Sequence, residues 1–168
     1  MKTNIALIGF MGTGKTVVGK ALAEKLGRSF VELDLLIEQR AGKSIPNIFR
    51  EDGEATFREL EIEITEEIAK DKNLIIACGG GIVLNKINIE RLRKSARMVY
   101  LTASPGVILK RVTSEEGQRP LLEMANPALT IDEMLSFRMP FYERAANIKI
   151  DTSKLDINAV AEEIIGRL

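Results

Sequence analysis

The sequence has no histidine, no tryptophan and a single cysteine, Cys78. Without histidine, the chain cannot form a serine–histidine–aspartate triad, a histidine metal cluster or a histidine general base. One cysteine cannot form a disulfide within the chain or a multi-cysteine zinc site, and its isolation indicates a reducing compartment. These absences exclude several common types of catalytic centre.

The chain also lacks an excess of charge of either sign and lacks long apolar runs. Lys and Arg total 24, and Asp and Glu total 24, among 168 residues. This balance argues against a nucleic-acid binder that uses a broad basic face. The longest apolar stretches, residues 5–12 and 74–84, are too short to cross a bilayer and are interrupted by glycine. We therefore expect a cytoplasmic monomer with no nucleic-acid or membrane partner.

Short apolar runs of strand length alternate with helical segments along the chain. The runs lie at residues 4–8, 29–33, 74–78, 98–101 and 148–150. Strands that alternate with helices form a parallel sheet that is covered on both faces. A chain of this length makes one domain. The sequence therefore predicts a single α/β domain over residues 1–168, with three layers and a central parallel sheet of five strands flanked by helices.

Two segments depart from this alternation. Residues 44–70 contain two consecutive helical segments with no strand between them. We interpret this excursion, approximately residues 34–70, as a small substrate-binding subdomain. Residues 112–127 are rich in polar residues and contain two prolines, which is typical of a functional loop. We interpret that second segment as a lid.

Residues 9–16 read Gly-Phe-Met-Gly-Thr-Gly-Lys-Thr and match the phosphate-loop motif G-x-x-x-x-G-K-[ST]. Glycines let backbone N–H groups turn around phosphate oxygens, and the helix that follows adds positive potential. Lys15 supplies a cation to the β- and γ-phosphates, and Thr16 offers a hydroxyl to Mg²⁺. The alternative is a glycine turn that only joins a strand to a helix. The motif predicts an ATP site at Gly12, Thr13, Gly14, Lys15, Thr16 and Val17.

A phosphate loop alone does not identify the second substrate. GTPases, adenylate-type kinases and motor ATPases all carry one. The length of the chain excludes large motors, and the chain contains no Asn-Lys-x-Asp guanine signature. A compact kinase and a small GTPase remain.

Further features follow the phosphate loop in a fixed order. Asp34 ends the second predicted strand, Arg58 lies in the long helix of the excursion, and three glycines at 79–81 follow the third strand. Arg119 lies in the predicted lid, and Arg138 lies in a later helix. Together and in this order they resemble the shikimate kinase family over essentially the whole chain. The phosphate loop is generic, whereas this set is specific to that family.

The resemblance implies a P-loop kinase fold and ATP-dependent phosphorylation of the 3-hydroxyl of shikimate, giving shikimate 3-phosphate and ADP in the pathway to chorismate and the aromatic amino acids. Arg58 and Arg138 are expected to hold the carboxylate of shikimate, because a guanidinium pairs with a carboxylate through two parallel hydrogen bonds. Asp34 is expected to accept hydrogen bonds from the ring hydroxyls. The remaining substrate-binding residues that it implies are Phe49, Phe57, Gly79, Gly80 and Gly81.

The family roles also imply a catalytic set and further contacts to ATP. Lys15, Asp34 and Arg119 are the implied catalytic residues, with Arg119 and Lys15 offsetting charge on the transferred phosphoryl group. Arg119 and Arg111 are also implied to contact ATP. Lys154, in the turn after the fifth predicted strand, resembles an adenine-binding element of the family.

The sequence departs from the family pattern at the metal site. The family usually has aspartate where this chain has Glu32, and that aspartate assists Mg²⁺ through water. The implied cofactor is therefore Mg²⁺ held by Thr16, with Glu32 as a second, water-mediated contact. The extra methylene of Glu32 displaces its carboxylate by about 1 Å, which matters on the scale of catalytic geometry.

Several of these residues have plain structural alternatives. Asp34 is also a suitable cap for a helix that begins at the next residue. Arg58 has Glu54 four residues before it, so it could form an ordinary surface ion pair, and Arg111 could pair with Glu115. Arg138 has no acidic residue three or four positions away, which favours an external anion as its partner.

Two further functions remain open at this point. One is a gluconate-type or adenylate-type kinase, which would have the same phosphate loop and a different second substrate. The other is a non-catalytic nucleotide-binding module that signals through movement of its lid. The presence of both Lys15 and Asp34 favours catalysis over the second of these alternatives.

Overall fold

The computed structural model of the chain describes residues 2–114, 125–154 and 156–168. Five parallel strands form its central sheet, in the order β2-β3-β1-β4-β5. The strands are β1 (Asn4–Ile8), β2 (Ser29–Glu32), β3 (Leu74–Ala77), β4 (Ala96–Thr102) and β5 (Ile148–Asp151). The predicted parallel sheet of five strands is thus confirmed.

Eight α-helices flank the sheet within the described residues, and a short 3-10 helix (Ile82–Leu84) follows the glycines after β3. The α-helices are α1 (Lys15–Leu26), α2 (Leu33–Ala41), α3 (Ile45–Glu51), α4 (Glu54–Ile68), α5 (Lys86–Ser95), α6 (Pro105–Ser114), α7 (Pro127–Ala145) and α8 (Ile157–Gly166). The two consecutive helices predicted between residues 44 and 70 are α3 and α4. None of the described helices combines the length and the apolar character that a membrane span requires.

The sheet buries side chains on both of its faces, which explains the continuous apolar runs in the sequence. On β1, Ile5 and Leu7 point towards a core built with α1 and α8, whereas Ala6 and Ile8 point towards the larger core on the opposite face. Successive side chains of a strand alternate between faces, so a strand covered on both sides is apolar at every position. The core therefore has two layers, one on each side of the sheet.

The strand order brings the candidate residues to one edge of the sheet. β1 lies between β3 and β4, so the chain runs outwards from β1 in both directions. Ligands of open parallel sheets bind at the carboxyl ends of the strands, where this order reverses. The segments after β1, β2 and β3 all begin at that edge, and they contain the phosphate loop, Asp34 and the glycines at 79–81.

The first glycine of the phosphate loop lies in close contact with a neighbouring strand. Gly9 has a φ of +150°, and a Cβ added to it would lie 2.4 Å from the carbonyl oxygen of Leu101. Backbone atoms of a central strand cannot move aside as a flexible side chain can. Glycine at this position is therefore needed for the phosphate loop to leave β1 next to β4.

We predict that Gly9→Ala lowers the free energy of unfolding by about 1–3 kcal/mol, because the added methyl overlaps backbone. Urea unfolding of the two proteins measures this difference. Gly106→Ala is the matched control, because Gly106 lies in α6 with no atom within 4 Å of the added methyl. Alanine at an open helical position leaves stability unchanged or raises it by up to about 1 kcal/mol. Equal stability of the two variants would contradict the steric explanation.

Candidate active site

A cavity of about 630 Å³ opens at the carboxyl edge of the sheet. It brings together most of the residues that the sequence analysis singled out, although they come from distant parts of the chain. The predicted residues that line it are Gly12, Gly14, Lys15, Thr16, Val17, Glu32, Asp34, Phe49, Phe57, Arg58, Gly79, Gly80, Gly81, Arg111 and Arg138. Phosphate-binding and carboxylate-binding candidates therefore share one cavity.

The phosphate loop forms one wall of this cavity. Gly12 and Gly14 have φ values of +76° and +95°, a left-handed conformation that glycine adopts without strain. Gly14 is the N-cap of α1 and has no side chain, so it cannot cap the N–H groups of the first helical turn. Such N–H groups at a helix N-terminus form a site for an anion. The Nζ atom of Lys15 donates hydrogen bonds to the carbonyl oxygens of Gly9 and Phe10, at 2.7 and 2.9 Å.

Arg111 and Thr152 form hydrogen bonds to the backbone of the phosphate loop. The guanidinium of Arg111 donates to the carbonyl oxygen of Gly12 at 3.0 Å and to that of Thr152 at 2.5 Å. The buried hydroxyl of Thr152 donates to the carbonyl oxygen of Thr13 at 2.7 Å. Both contacts fix the loop backbone. The sequence did not predict these contacts, because the partners lie 99 and 139 residues apart.

Glu32 reaches the residue that is expected to bind metal. The hydroxyl of Thr16 donates to Oε1 of Glu32 at 3.0 Å, and both residues line the cavity. The longer side chain of glutamate therefore still places a carboxylate beside this hydroxyl. Hydroxyl and carboxylate oxygens are hard ligands of the type that Mg²⁺ prefers. Within the described residues no cluster of three or more metal-ligating side chains is present, so a bound Mg²⁺ would take its other ligands from water and phosphate.

Asp34 presents an unsatisfied acceptor to the cavity. Its Oδ1 atom is buried and accepts no hydrogen bond from any described residue. Burial raises the pKa of this carboxyl group, and the nearby Lys15 and Arg58 only partly oppose that rise. The helix-cap alternative is wrong, because α2 begins at Leu33 and its N-cap is Glu32. A donor from a bound molecule, such as a hydroxyl group, would satisfy the Asp34 oxygen.

Arg58 pairs with carboxylates on its own helix. Its guanidinium lies 3.1 Å from Glu61 and 3.5 Å from Glu54. The ion pair with Glu54 that the sequence suggested is thus present. However, the same guanidinium also borders the cavity, where a Cβ added to Gly81 would lie 2.8 Å from its Nη2 atom. Arg58 is therefore both paired and available to a ligand.

Glu61 is a site residue that the sequence analysis missed. Its side chain lines the cavity and the residue is only 1% exposed. Burial raises the pKa of its carboxyl group, while Arg58 opposes that rise. The signal in the sequence was its position three residues after Arg58 on an amphipathic helix, where the two side chains must meet. Glu61 offsets part of the positive charge that two arginines bring into the cavity.

Arg138 faces the cavity from α7. One of its terminal nitrogens, Nη1, would lie 3.4 Å from a Cβ added to Gly80, and its guanidinium lies 5.8 Å from the centre of the Phe10 ring. Among the described residues, no carboxylate lies within salt-bridge distance of it. This arrangement agrees with the absence of acidic residues beside it on the helix. The guanidinium is thus placed to receive an anion.

The remaining predicted residues are placed differently. Thr13 is buried, and its hydroxyl donates to the carbonyl oxygen of Phe10 rather than facing the cavity. Lys154 does not line this cavity. Arg119 and most of the predicted lid at residues 112–127 lie outside the described residues, as does Glu115, the alternative partner of Arg111.

We predict that Asp34→Asn raises the melting temperature of the ligand-free protein. The folded-state pKa of Asp34 is raised, so its contribution to stability is full at low pH and is lost as the pH rises through that pKa. The melting-temperature advantage of the variant should therefore grow with increasing pH, as measured by calorimetry. Asp132→Asn, at an exposed position of α7, is the control for the change from a carboxylate to an amide. A variant that melts lower than the wild type at neutral pH would contradict the prediction.

Comparisons with known proteins agree with this geometry. The family model of shikimate kinase matches residues 11–168. The shikimate kinase of Thermodesulfovibrio yellowstonii is 48% identical over 162 residues, which cover 96% of this chain and 92% of the relative. The shikimate kinase of Caldanaerobacter subterraneus subsp. tengcongensis is 47% identical over 162 residues, covering 96% of this chain and 94% of the relative.

Solved structures give the same result. A shikimate kinase from Acinetobacter baumannii, in complex with shikimate, superposes with a TM-score of 0.92 at 38% identity, covering 98% of this chain and 92% of that one. A gluconokinase from Sinorhizobium meliloti 1021 superposes with a TM-score of 0.58 at 17% identity, over 98% of this chain and 90% of that one, which shows a shared fold only. The chain belongs to the shikimate kinase family.

Proposed function

We propose that the cavity binds ATP and shikimate next to each other and that the γ-phosphoryl group of ATP passes to the 3-hydroxyl of shikimate. As a member of its family, the chain is an ATP-dependent kinase that phosphorylates shikimate in aromatic amino acid biosynthesis. The observation that carries the proposal is the shared cavity, which is lined by the phosphate loop, by Arg58 and Arg138, and by the glycines at 79–81. The products are shikimate 3-phosphate and ADP.

The phosphates of ATP bind at the loop and at the start of α1. Backbone N–H groups of residues 12–17 surround the phosphate oxygens, and Lys15 exchanges its contacts with loop carbonyls for contacts with the β- and γ-phosphates. Arg119 of the predicted lid approaches the transferred phosphoryl group. Arg111 and Lys154 contact the adenine side of the nucleotide. The position of Arg111 supports this role, because it lines the cavity and donates a hydrogen bond to the carbonyl oxygen of Gly12.

The carboxylate of shikimate binds between Arg58 and Arg138. Both guanidinium groups border the glycines at 79–81, whose backbone has no side chains to keep a ligand away. Two charged donors in a half-buried cavity hold a carboxylate more strongly than surface residues do. Phe49 and Phe57, whose rings lie 4.8 Å apart, provide an apolar wall for the ring of shikimate.

Asp34 orients the hydroxyl that attacks. Its buried Oδ1 atom accepts a hydrogen bond from the substrate and takes the proton as the new O–P bond forms. The raised pKa of Asp34 makes it a stronger proton acceptor than an exposed aspartate. Catalysis is otherwise a matter of positioning and of charge stabilisation by Lys15, Arg119 and Mg²⁺.

Thr16 and Glu32 are the residues that would hold Mg²⁺, and their oxygens suit that ion. When bound with ATP, Mg²⁺ neutralises charge on the β- and γ-phosphates. Thr16 would contact the metal directly, and Glu32 would contact it through water. We further propose that the protein acts in the cytoplasm as a monomer, with residues 34–70 as its substrate-binding subdomain and residues 112–127 as its lid.

Release of ADP in a coupled assay, with and without a second substrate, tests the proposal. Shikimate, gluconate and AMP are each offered with ATP and Mg²⁺. Shikimate-dependent ADP release supports the proposal, whereas turnover of only gluconate or AMP would identify a different small-molecule kinase. Binding of ATP without any substrate-dependent release of ADP would identify a non-catalytic nucleotide-binding module. Lys15→Ala serves as the inactive control.

We predict that Arg138→Ala weakens shikimate binding by about 2–5 kcal/mol, because the carboxylate loses a charged partner in a half-buried site. Calorimetric titration with shikimate measures this loss. Arg144→Ala is the matched control, because Arg144 lies on the same helix but contacts Phe141 at a different cavity. An unchanged shikimate affinity in Arg138→Ala would contradict the assignment of the carboxylate site.

We predict that Glu32→Gln weakens the binding of Mg²⁺–ADP about tenfold and leaves the binding of metal-free ADP unchanged. Glutamine keeps the size of the side chain and an acceptor for Thr16 but removes the negative charge. Calorimetric titrations with ADP, with Mg²⁺ and with a chelator, separate the two affinities. Glu24→Gln, at an exposed position of α1, is the control. Equal weakening with and without Mg²⁺ would show that Glu32 does not act through the metal.

A further inference from the structure

Tyr142 contacts the substrate-binding backbone without lining the cavity. It lies on α7, one turn after Arg138, and it is completely buried. Its hydroxyl donates a hydrogen bond of 2.5 Å to the carbonyl oxygen of Gly80, across 62 residues of the chain. The sequence analysis did not single out this tyrosine, because an aromatic residue on a helix is usually part of the core.

The ring of Tyr142 is held in place independently of that hydrogen bond. It stacks on the ring of Tyr100 in β4, with centroids 4.9 Å apart and an angle of 23° between the planes. Burial raises the pKa of Tyr142 to about 12, although the neighbouring Arg138 opposes this rise. The hydroxyl therefore remains protonated and can donate at any physiological pH.

Tyr142 interacts with both groups that are expected to bind the carboxylate, which are the Gly80 backbone and Arg138. The Arg138 guanidinium interacts electrostatically with the Tyr142 hydroxyl, and it lies beside Gly80, with Nη1 at 3.4 Å from the position of an added Cβ. Gly80 lies in a run of three glycines. Glycine has more conformational freedom than any other type of residue. Without an external contact, this backbone would lose more entropy on ordering around a ligand.

We propose that Tyr142 is a positioning residue for the carboxylate of shikimate: its hydroxyl fixes the Gly80 backbone and Arg138 in the relative geometry that the carboxylate requires. This inference rests on the proposed function of the same cavity. Tyr142 does not touch the substrate. It lowers the cost of ordering the glycines when the substrate binds.

Steady-state kinetics of Tyr142→Phe test this inference. Phenylalanine keeps the stacked ring and removes only the donor, so we expect the KM for shikimate to rise about tenfold. The KM for ATP should remain unchanged. A shikimate analogue with a hydroxymethyl group in place of the carboxylate should lose no affinity in the variant, because it does not use the carboxylate contacts.

Tyr100→Phe is the matched control, because it removes the other hydroxyl of the same stacked pair, and Tyr100 lies outside the shikimate cavity. Its KM values should equal those of the wild type. If Tyr142→Phe does not fold, p-fluorophenylalanine at position 142 provides a side chain close in size to tyrosine without a donor. Replacement by p-aminophenylalanine, which restores a donor, should return the KM for shikimate towards the wild-type value.

The outcomes separate the inference from the function on which it rests. A wild-type KM for shikimate in the donor-free variants would overturn the inference, and so would an equal rise in the KM values for shikimate and ATP. A lower melting temperature with a loss confined to kcat would show a purely structural tyrosine and would also overturn it. Absence of shikimate-dependent ADP release in the wild type would instead overturn the proposed function.

Discussion

Three consecutive glycines allow three charged side chains to lie against one stretch of backbone. A Cβ added to Gly79 would lie 2.8 Å from Asp34, one added to Gly80 would lie 3.4 Å from Arg138, and one added to Gly81 would lie 2.8 Å from Arg58. Any larger residue at the first or the third position would displace a side chain of the site. The arrangement of these charged side chains around the cavity therefore depends on the absence of side chains along a single turn after β3.

The buried charges around these glycines follow from the substrates. Lys15, Arg58 and Arg138 bring positive charge to the cavity. The negative charges of Asp34 and Glu61 offset part of it. Burial raises the pKa of both carboxyl groups, so each costs stability when it is ionised. A cavity that is proposed to bind a polyphosphate and a carboxylate keeps these charges at that cost, which is the usual trade between stability and activity.

A second layer of contacts holds the two halves of the cavity. Arg111 and Thr152 fix the phosphate loop from the far end of the chain, and Tyr142 reaches Gly80 from α7. The same helix supplies Arg138, which lines the cavity. Residues from the C-terminal half of the chain thus contact backbone segments of the N-terminal half around one cavity.

Local pattern was sufficient for much of this protein. Apolar runs and helical spacing predicted the five strands and the two consecutive helices, because buried strands must be apolar and a helix must bury one face. The phosphate loop was readable because its glycines and lysine are contiguous. Arg138 was recognisable because no acidic residue lies three or four positions from it on the helix. Asp34 lies in the same cavity as the phosphate loop, and its alternative role as a helix cap was wrong.

The contacts of Glu61, Thr152 and Tyr142 required the folded chain. The hydroxyls of Thr152 and Tyr142 find partners 139 and 62 residues away, and no local periodicity encodes a distance of that kind. The sequence by itself determined which segments become strands and helices and where the phosphate-loop motif lies, since both properties arise from neighbouring residues. Only the tertiary structure decided which side chain meets which backbone carbonyl, because the crossover of parallel strands brings distant segments to one edge of the sheet.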